Sequence, residues 1–474
     1  MIYKEFYEYE KSVASSKKRS LGIVYTPPEI VDAINSKMLS GWTGPNPPKV
    51  LDPCCGTGVF LYDMAHKISE RWSIPLAEVY RKYIYGFDVD SEAVEIGREI
   101  MQFSNLTVCD SLRQDYSAYD IIVTNPPYVR IQHLSEQQRS FIQEEFDFTG
   151  GDTDIYIAFL EKLAKSKVDV GLISPSSWAR NKSSADLRKY FYQERRIKEV
   201  VDFGDRLVFK GVQTYTSILY MGYSDEVRYS RDNPTTSISL KYTDSDSDKI
   251  FLGLSSHSSG EKTMKLMDIC DIKVGLATLS DGIFYGEQVS ELDDGLVKFK
   301  NSYGEYTVEA ASLRKCTKAS KIQKIKENTY IIFPYTEEAK LMEEEEIASR
   351  FPNTYSLLLA FKDTLLSRDK GKIKEEVWYG FGRTQGLSSS GPKLLLPPFQ
   401  KDQIVVREAA EEDMFISGYA VYSKDGYPLE SIKEILTSEE VFEQIKPFAK
   451  PMSKGWIGIS KNTFKDCTFS LPQP

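Results

Sequence analysis

Histidine is nearly absent: His66, His133 and His257 are scattered over 474 residues. The six cysteines, Cys54, Cys55, Cys109, Cys270, Cys316 and Cys467, form no CxxC pair. Their spacing fits neither a zinc site nor a disulfide framework, so no metal chemistry is expected. No apolar run approaches the roughly 18 residues of a membrane span. The first ten residues are acidic and aromatic, with no signal-peptide apolar core. A soluble, cytoplasmic protein with no membrane partner is expected. Positive charge is also in deficit, with 60 Lys and Arg against 69 Asp and Glu, a net charge of -9. That does not exclude a nucleic-acid partner, because phosphate is bound by local charge. Acid gathers at residues 343–346, and basic stretches lie at Lys17-Lys18-Arg19 and at 314–326. Each such run, taken alone, reads as a solvated face.

What is present is globular. Hydrophobic residues make up 41% and charged residues 27%, which separates the chain from disordered ones. Its length exceeds one ordinary core, so two domains are expected. From about residue 20 to 225, short apolar runs alternate with helical patterns, as in an α/β fold with a mostly parallel sheet. Strands are predicted at 49–52, 83–87, 106–109, 121–124, 168–174, 197–203 and 216–221. Helices are predicted at 59–70, at 91–101 with Ser91 as its cap, and at 155–164. Residues 224–262, rich in Ser, Asp, Thr and Gly, read as a linker, and a mixed α+β texture follows. The domains are accordingly set at 1–240 and 241–474.

Four segments carry chemistry. In Val50-Leu51-Asp52-Pro53-Cys54-Cys55-Gly56-Thr57-Gly58 a strand ends in an acid and a glycine turn opens a helix. Glycine lets the backbone approach a ligand where a Cβ would collide. The third glycine of the dinucleotide fingerprint is missing, which disfavours a pyrophosphate cofactor. Gly86-Phe87-Asp88-Val89-Asp90 ends the next strand in an acid that can accept from both ribose hydroxyls. Val108-Cys109-Asp110 places a third acid where an oxygen could take an adenine amine. Each acid alone is a polar strand end. Three at successive strand ends describe an adenosine-shaped pocket at the carboxyl edge of one sheet. The fourth segment runs an apolar strand, Asp120-Ile121-Ile122-Val123-Thr124, into Asn125-Pro126-Pro127-Tyr128. Two prolines freeze the backbone and remove two N–H donors. The Asn125 amide oxygen and the Pro126 carbonyl can then accept from an NH2 group, and Tyr128 offers a ring for a planar base.

These residues resemble the amino-methyltransferases that act on DNA, in which a methyl-donor loop accompanies an (Asn/Asp/Ser)-Pro-Pro-(Tyr/Phe) motif. Gly22-Ile23-Val24-Tyr25-Thr26-Pro27-Pro28-Glu29 precedes the glycine loop, and a large C-terminal domain follows. This order is similar to that of the gamma-class, TaqI-like and Eco57I-like, N6-adenine methyltransferases. The resemblance implies a Rossmann-like class I methyltransferase domain with a mixed seven-stranded sheet, followed by an α+β target-recognition domain. It implies S-adenosylmethionine as cofactor, surrounded by Thr26, Asp52, Pro53, Cys54, Gly56, Gly58, Asp88, Val89, Asp110 and Asn125. Asn125 and Pro126 would hold the target amine. Tyr128 and Phe209, the latter in Val208-Phe209-Lys210-Gly211, would stack on opposite faces of the flipped base. Cys54-Cys55 departs from the family, where small residues such as alanine are common, and suggests sensitivity to thiol reagents. In the C-terminal half, Lys273 to Thr278 with Phe284 and the stretch Trp378 to Gln385 look familiar. There Arg383 and Gln385 have side chains that read guanine and adenine edges. Trp378 and Tyr379 suit a core or a DNA contact equally well.

The expected activity is therefore methylation of N6 of an adenine in double-stranded DNA by direct in-line attack, as the modification half of a restriction-modification system. A separate cognate endonuclease is a possible partner, and a monomer is expected. About twenty residues precede Gly22, too few for a fused nuclease domain. The competing readings are methylation of an RNA adenine or a protein glutamine, and a catalytically inert DNA-binding module.

Overall fold

A computed structural model describes residues 4–102, 104–150, 153–209, 214–231, 237–255, 263–324, 327–383, 385–387, 390–424 and 426–470. The chain divides into two compact units, 1–259 and 260–474.

The first unit is built on strands β1 (Val50–Asp52), β2 (Ile84–Asp88), β3 (Asn105–Val108), β4 (Ile121–Thr124), β5 (Asp169–Pro175), β6 (Ile197–Asp202), β7 (Thr216–Met221), β8 (Glu226–Arg231) and β9 (Ser237–Lys241). Their order is β3-β2-β1-β4-β5-β7-β6-β8-β9. The first five are mutually parallel, and β7 runs antiparallel between β5 and β6. The seven expected strands are thus present, but the sheet has nine. The stretch read as a linker supplies the two extra strands: Val227 and Tyr229 of β8 are buried at alternate positions, as a half-covered strand requires.

Among the described residues nine helices flank or cap this sheet: α1 (Lys4–Ser12), α2 (Ser15–Leu21), α3 (Pro28–Gly41), α4 (Val59–Trp72), α5 (Leu76–Tyr83), α6 (Ser91–Ile100), α7 (Glu136–Glu145), α8 (Tyr156–Lys165) and α9 (Ala185–Gln193). Pro28 opens α3 where the missing N–H is no loss. Asn35 of α3 donates to Phe60 O and to Asp63 Oδ2 of α4, both at 2.8 Å, a buried polar tie inside an apolar layer. Ile34, Met38, Phe60, Leu61 and Met64 fill that layer. The expected cap of α6 shifts by one residue. Asp90 occupies the cap position, yet its side chain does not cap, because it is engaged by the N-terminal helices.

The second unit is antiparallel for the most part. Its six-stranded sheet orders Glu305–Glu309, Leu296–Lys300, Tyr285–Glu291, Thr329–Ile332, Leu313–Lys318 and Met414–Ile416. A four-stranded sheet orders Cys270–Val274, Tyr419–Ser423, Lys393–Leu396 and Arg407–Ala409. A third pairs Phe399–Gln400 and Lys450–Pro451 with Ile457–Gly458. Arg368 is 5% exposed and ties three segments together. Its guanidinium donates to the carbonyls of Leu365 (2.7 Å), Thr278 (2.7 Å), Gly380 (3.0 Å) and Trp378 (2.6 Å).

Candidate active site at the carboxyl edge of the sheet

The carboxyl ends of β1, β2 and β4 and the turn after β3 open onto one cavity of about 360 Å3, a usual size for a ligand pocket. Thr26, Asp52, Pro53, Cys54, Gly56, Asp88, Val89, Asp110 and Asn125 all line it. Gly58 does not. It shapes the loop instead: Gly56 and Gly58 take φ of +51° and +96°, a left-handed turn that other residues adopt with strain. Gly56 N–H donates to Asp88 Oδ2 at 2.7 Å, joining the loops after β1 and β2. Asp88 Oδ1 accepts from Asp90 N–H at 2.9 Å. Asp110 Oδ1 caps the following turn through Leu112 N–H (3.1 Å), and Oδ2 takes Arg113 Nε (3.2 Å). A carboxylate oxygen has two acceptor sites, so these contacts orient the acids and leave capacity for a ligand.

Burial raises the pKa of Asp52 to about 7, with the Asp88 charge adding to the effect and Cys54 N–H opposing it. The folded chain holds this proton up to about pH 7, whereas an unfolded chain releases it at about pH 4. The folded state therefore binds more protons across that window, and stability falls as pH rises through it. Asp52→Asn should remove that slope. In ligand-free protein it should be more stable than wild type at pH 8 and about equal at pH 4, by chemical denaturation. A wild-type stability that is flat from pH 4 to 8 would show Asp52 to be ionised throughout. Burial and the nearby carboxylates push the Cys54 and Cys55 thiols well up as well. A thiol held protonated is a poor nucleophile, which weighs against the expected thiol sensitivity although Cys54 lines the cavity.

At the end of β4 the Asn125 side chain is fixed in orientation. Its Nδ2 donates to Val24 O (2.9 Å) and Thr26 Oγ1 (3.1 Å), and its Oδ1 accepts from Tyr128 OH (2.8 Å). Pro126 is buried, and no described backbone N–H donates to its carbonyl. The segment Gly22–Thr26 lies directly on this loop. Gly22 has φ +63°, and a Cβ there would stand 2.8 Å from Tyr128 N and 2.6 Å from Val129 Cγ2. Tyr128 and Phe209 are neighbours, but not as a sandwich. Their rings meet edge to face, with centroids 6.1 Å apart at 66°, and Phe209 is 3% exposed. A base between parallel rings needs about 7 Å, two van der Waals contacts. Without one, the rings bury against each other in the T-shape their quadrupoles favour.

The sequence reading missed two groups. Leu134, Ser135, Gln138 and Phe141, at and just before α7, line the cavity together with Leu112. Nothing in their spacing marks them, because Ser135 and Gln138 read only as the capping box they also form. The other group is the ion cluster at the cavity mouth. Lys17 Nζ donates to Asp90 Oδ1 (2.9 Å), Glu92 Oε2 (3.0 Å) and Tyr9 OH (2.8 Å), and Tyr9 OH donates to Asp90 Oδ2 (2.9 Å). Lys17, the first residue of the basic run, is in this respect structural. Among the described residues no His, Cys, Asp or Glu group is arranged to hold a metal ion, and no helix is long and apolar enough to cross a membrane.

The proposed DNA-reading residues of the second unit divide. Trp378 and Tyr379 are 0% and 2% exposed; Trp378 Nε1 donates to Glu344 and Tyr379 OH to Met342 O. Both are core residues with satisfied polar tips, which corrects their expected DNA contact. Arg383, which bridges to Ala277, and Gln385 are both exposed.

Fold and cavity together define an α/β methyltransferase domain with a mixed sheet, carried with a further domain of antiparallel sheets. Residues 98–209 match the Eco57I restriction-modification methylase family. Residues 33–144 also match an RMKL-like methyltransferase domain. Among curated proteins it is 21% identical over 313 residues to the type II restriction enzyme and methyltransferase RM.Eco57I of Escherichia coli, covering 57% of this chain and 31% of that protein. It is 23% identical over 365 residues to the type II methyltransferase M.BanIII of Aneurinibacillus aneurinilyticus, covering 59% and 60%. The chain thus matches less than two thirds of the length of either relative. Its fold is similar to that of the type IIL restriction-modification enzyme MmeI, solved in complex with DNA, with a TM-score of 0.68 at 13% identity over 98% of this chain and 70% of that one.

Proposed function

We propose that the protein transfers a methyl group from S-adenosylmethionine to the N6 amine of an adenine turned out of duplex DNA, as the modification half of a restriction-modification system. The observation that carries this reading is the posed Asn125. Its Nδ2 is committed to Val24 and Thr26, so Oδ1 is the atom left to receive a donor, beside the Pro126 carbonyl. An acceptor pair of this kind suits an NH2 group.

The cavity fits the cofactor. Asp88 suits a ribose, Asp110 an adenine amine, and Val89 and Leu112 are apolar faces for a purine. Gly22–Thr26 would cover the methionine part. When bound, S-adenosylmethionine supplies an electrophilic methyl group on sulfur. The chain supplies position and polarity. Asn125 Oδ1 and Pro126 O accept the two amine hydrogens, which draws the nitrogen lone pair out of conjugation with the ring. The stiff Pro126-Pro127 backbone holds both acceptors in place as the amine attacks. An incoming base has to part Tyr128 from Phe209 and displace the Tyr128 hydroxyl from Oδ1. The restriction-modification role is supported by the family of residues 98–209.

The test is incubation with methyl-labelled S-adenosylmethionine and unmodified duplex DNA, followed by digestion and identification of the labelled nucleoside. N6-methyladenine is expected. N4-methylcytosine would keep the clamp and overturn the base. Label in RNA or protein, with none in DNA, would overturn the substrate class.

A further inference from the structure

Trp378 and Tyr379 lie in the core, and of the four side chains the sequence singled out for DNA only Arg383 and Gln385 are exposed. One face of that unit is distinctive. The small sheet of Phe399–Gln400, Ile457–Gly458 and Lys450–Pro451 exposes two large aromatics, Phe399 at 48% and Trp456 at 41%. Phe399 and Lys450 flank Gly458, within 3.8 Å of where a Cβ there would stand. Lys401 comes within 3.9 Å of the same point on Gly455, next to Trp456. Beside Phe399 lies a hollow of about 290 Å3, walled also by Val274, Lys318, Ser417 and Tyr419.

The patch is also basic. In a chain of net charge -9, residues 448–465 carry four lysines and no carboxylate. Lys401, Lys450 and Lys454 are exposed and have no carboxylate partner among the described residues. Elsewhere in the unit, Lys433 and Lys446 are paired with Glu408 and Glu443, at 2.8 and 2.9 Å. Unpaired ammonium groups around exposed rings, at the rim of a hollow, suit a polyanion with flat apolar faces: the lysines meet phosphates and the rings meet sugars or bases.

We infer that this face, centred on Phe399, Trp456, Lys401, Lys450 and Lys454, is the surface by which the second unit holds duplex DNA. The inference rests on the DNA-methylating reading above.

The test uses the full chain and labelled duplex DNA of mixed sequence, titrated at several salt concentrations. K401Q/K450Q/K454Q should weaken binding about tenfold or more and flatten the slope of log affinity against log salt by about 2.7, near 0.9 per lost phosphate contact. F399A/W456A should weaken binding about tenfold with the slope unchanged. Both variants should keep the wild-type melting temperature and S-adenosylmethionine affinity, which separates a surface effect from unfolding. Variants that bind with wild-type affinity and slope, from a wild type that methylates DNA, would overturn this surface and leave the activity standing. A wild type that prefers single-stranded RNA to duplex would overturn the assigned partner. A wild type that neither binds nor methylates DNA would remove both readings.

Discussion

Asn125→Ala should reduce methyl transfer at least a hundredfold at saturating substrates, the scale of losing one polar group aimed at the reacting centre. The structure adds a second, smaller effect. Asn125 Nδ2 also holds Val24 O and Thr26 Oγ1, on the segment that covers the cavity. Losing those two bonds, each contributing about 1 kcal/mol net, should weaken S-adenosylmethionine by up to about thirtyfold. Turnover and cofactor affinity should thus fall by different factors. Asn125→Asp keeps an acceptor but faces the Val24 carbonyl with no donor, so it should recover little of either. Single-turnover rates and calorimetry separate the two quantities. An alanine variant within a few-fold of wild-type turnover would sink the assignment of Oδ1.

The largest stability effect is expected in the second unit, at Arg368. Replacement by Met keeps much of the side-chain volume over the Phe284 ring, 5.6 Å away, but strands the carbonyls of Leu365, Trp378 and Gly380 and leaves Thr278 O with its bond from Gly382 N–H alone. Two terms compete. A buried guanidinium without a carboxylate is itself costly, and burial draws its pKa down to about 10, still protonated at neutral pH. Against that, each stranded acceptor costs about 1–3 kcal/mol where water cannot reach it. Three stranded acceptors outweigh one desolvated cation, so Arg368→Met should destabilise by about 3–5 kcal/mol. Chemical denaturation followed by tryptophan fluorescence would measure it. A loss below about 1 kcal/mol would mean that water replaces the guanidinium.

The cofactor side of the site was legible because its constraints are local. An acid at a strand end, a left-handed glycine turn and two consecutive prolines each dictate backbone geometry within a few residues. Asp52, Gly56, Asp88, Asp110 and Asn125 converge on one cavity because parallel strands share one carboxyl edge. Features built across long separations left no local mark. Tyr9 reaches Asp90 over 81 positions, and no pattern near either residue announces it. Trp378 was ambiguous for a chemical reason: a large ring with one N–H suits a core with a single acceptor as well as a nucleic acid, and Glu344 supplies that acceptor. The strands at 226–231 and 237–241 were hidden by composition. Ser and Asp suggested a loop, although Val227 and Tyr229 already showed the period of two.

The hydrogen bond from Tyr128 to Asn125 also bears on fidelity. An acceptor that already holds its own hydroxyl is under no pressure to take whatever arrives. Each newcomer is measured against that resident bond, and the exchange is even only for a base that brings a donor of its own. Thymine would turn a carbonyl toward Oδ1 and leave two acceptors facing each other, so it is turned away at the door without a dedicated steric gate. Adenine and cytosine both bring an amine and pass this first comparison. On the proposed function, the distinction between those two would fall to the space that opens when Tyr128 and Phe209 part.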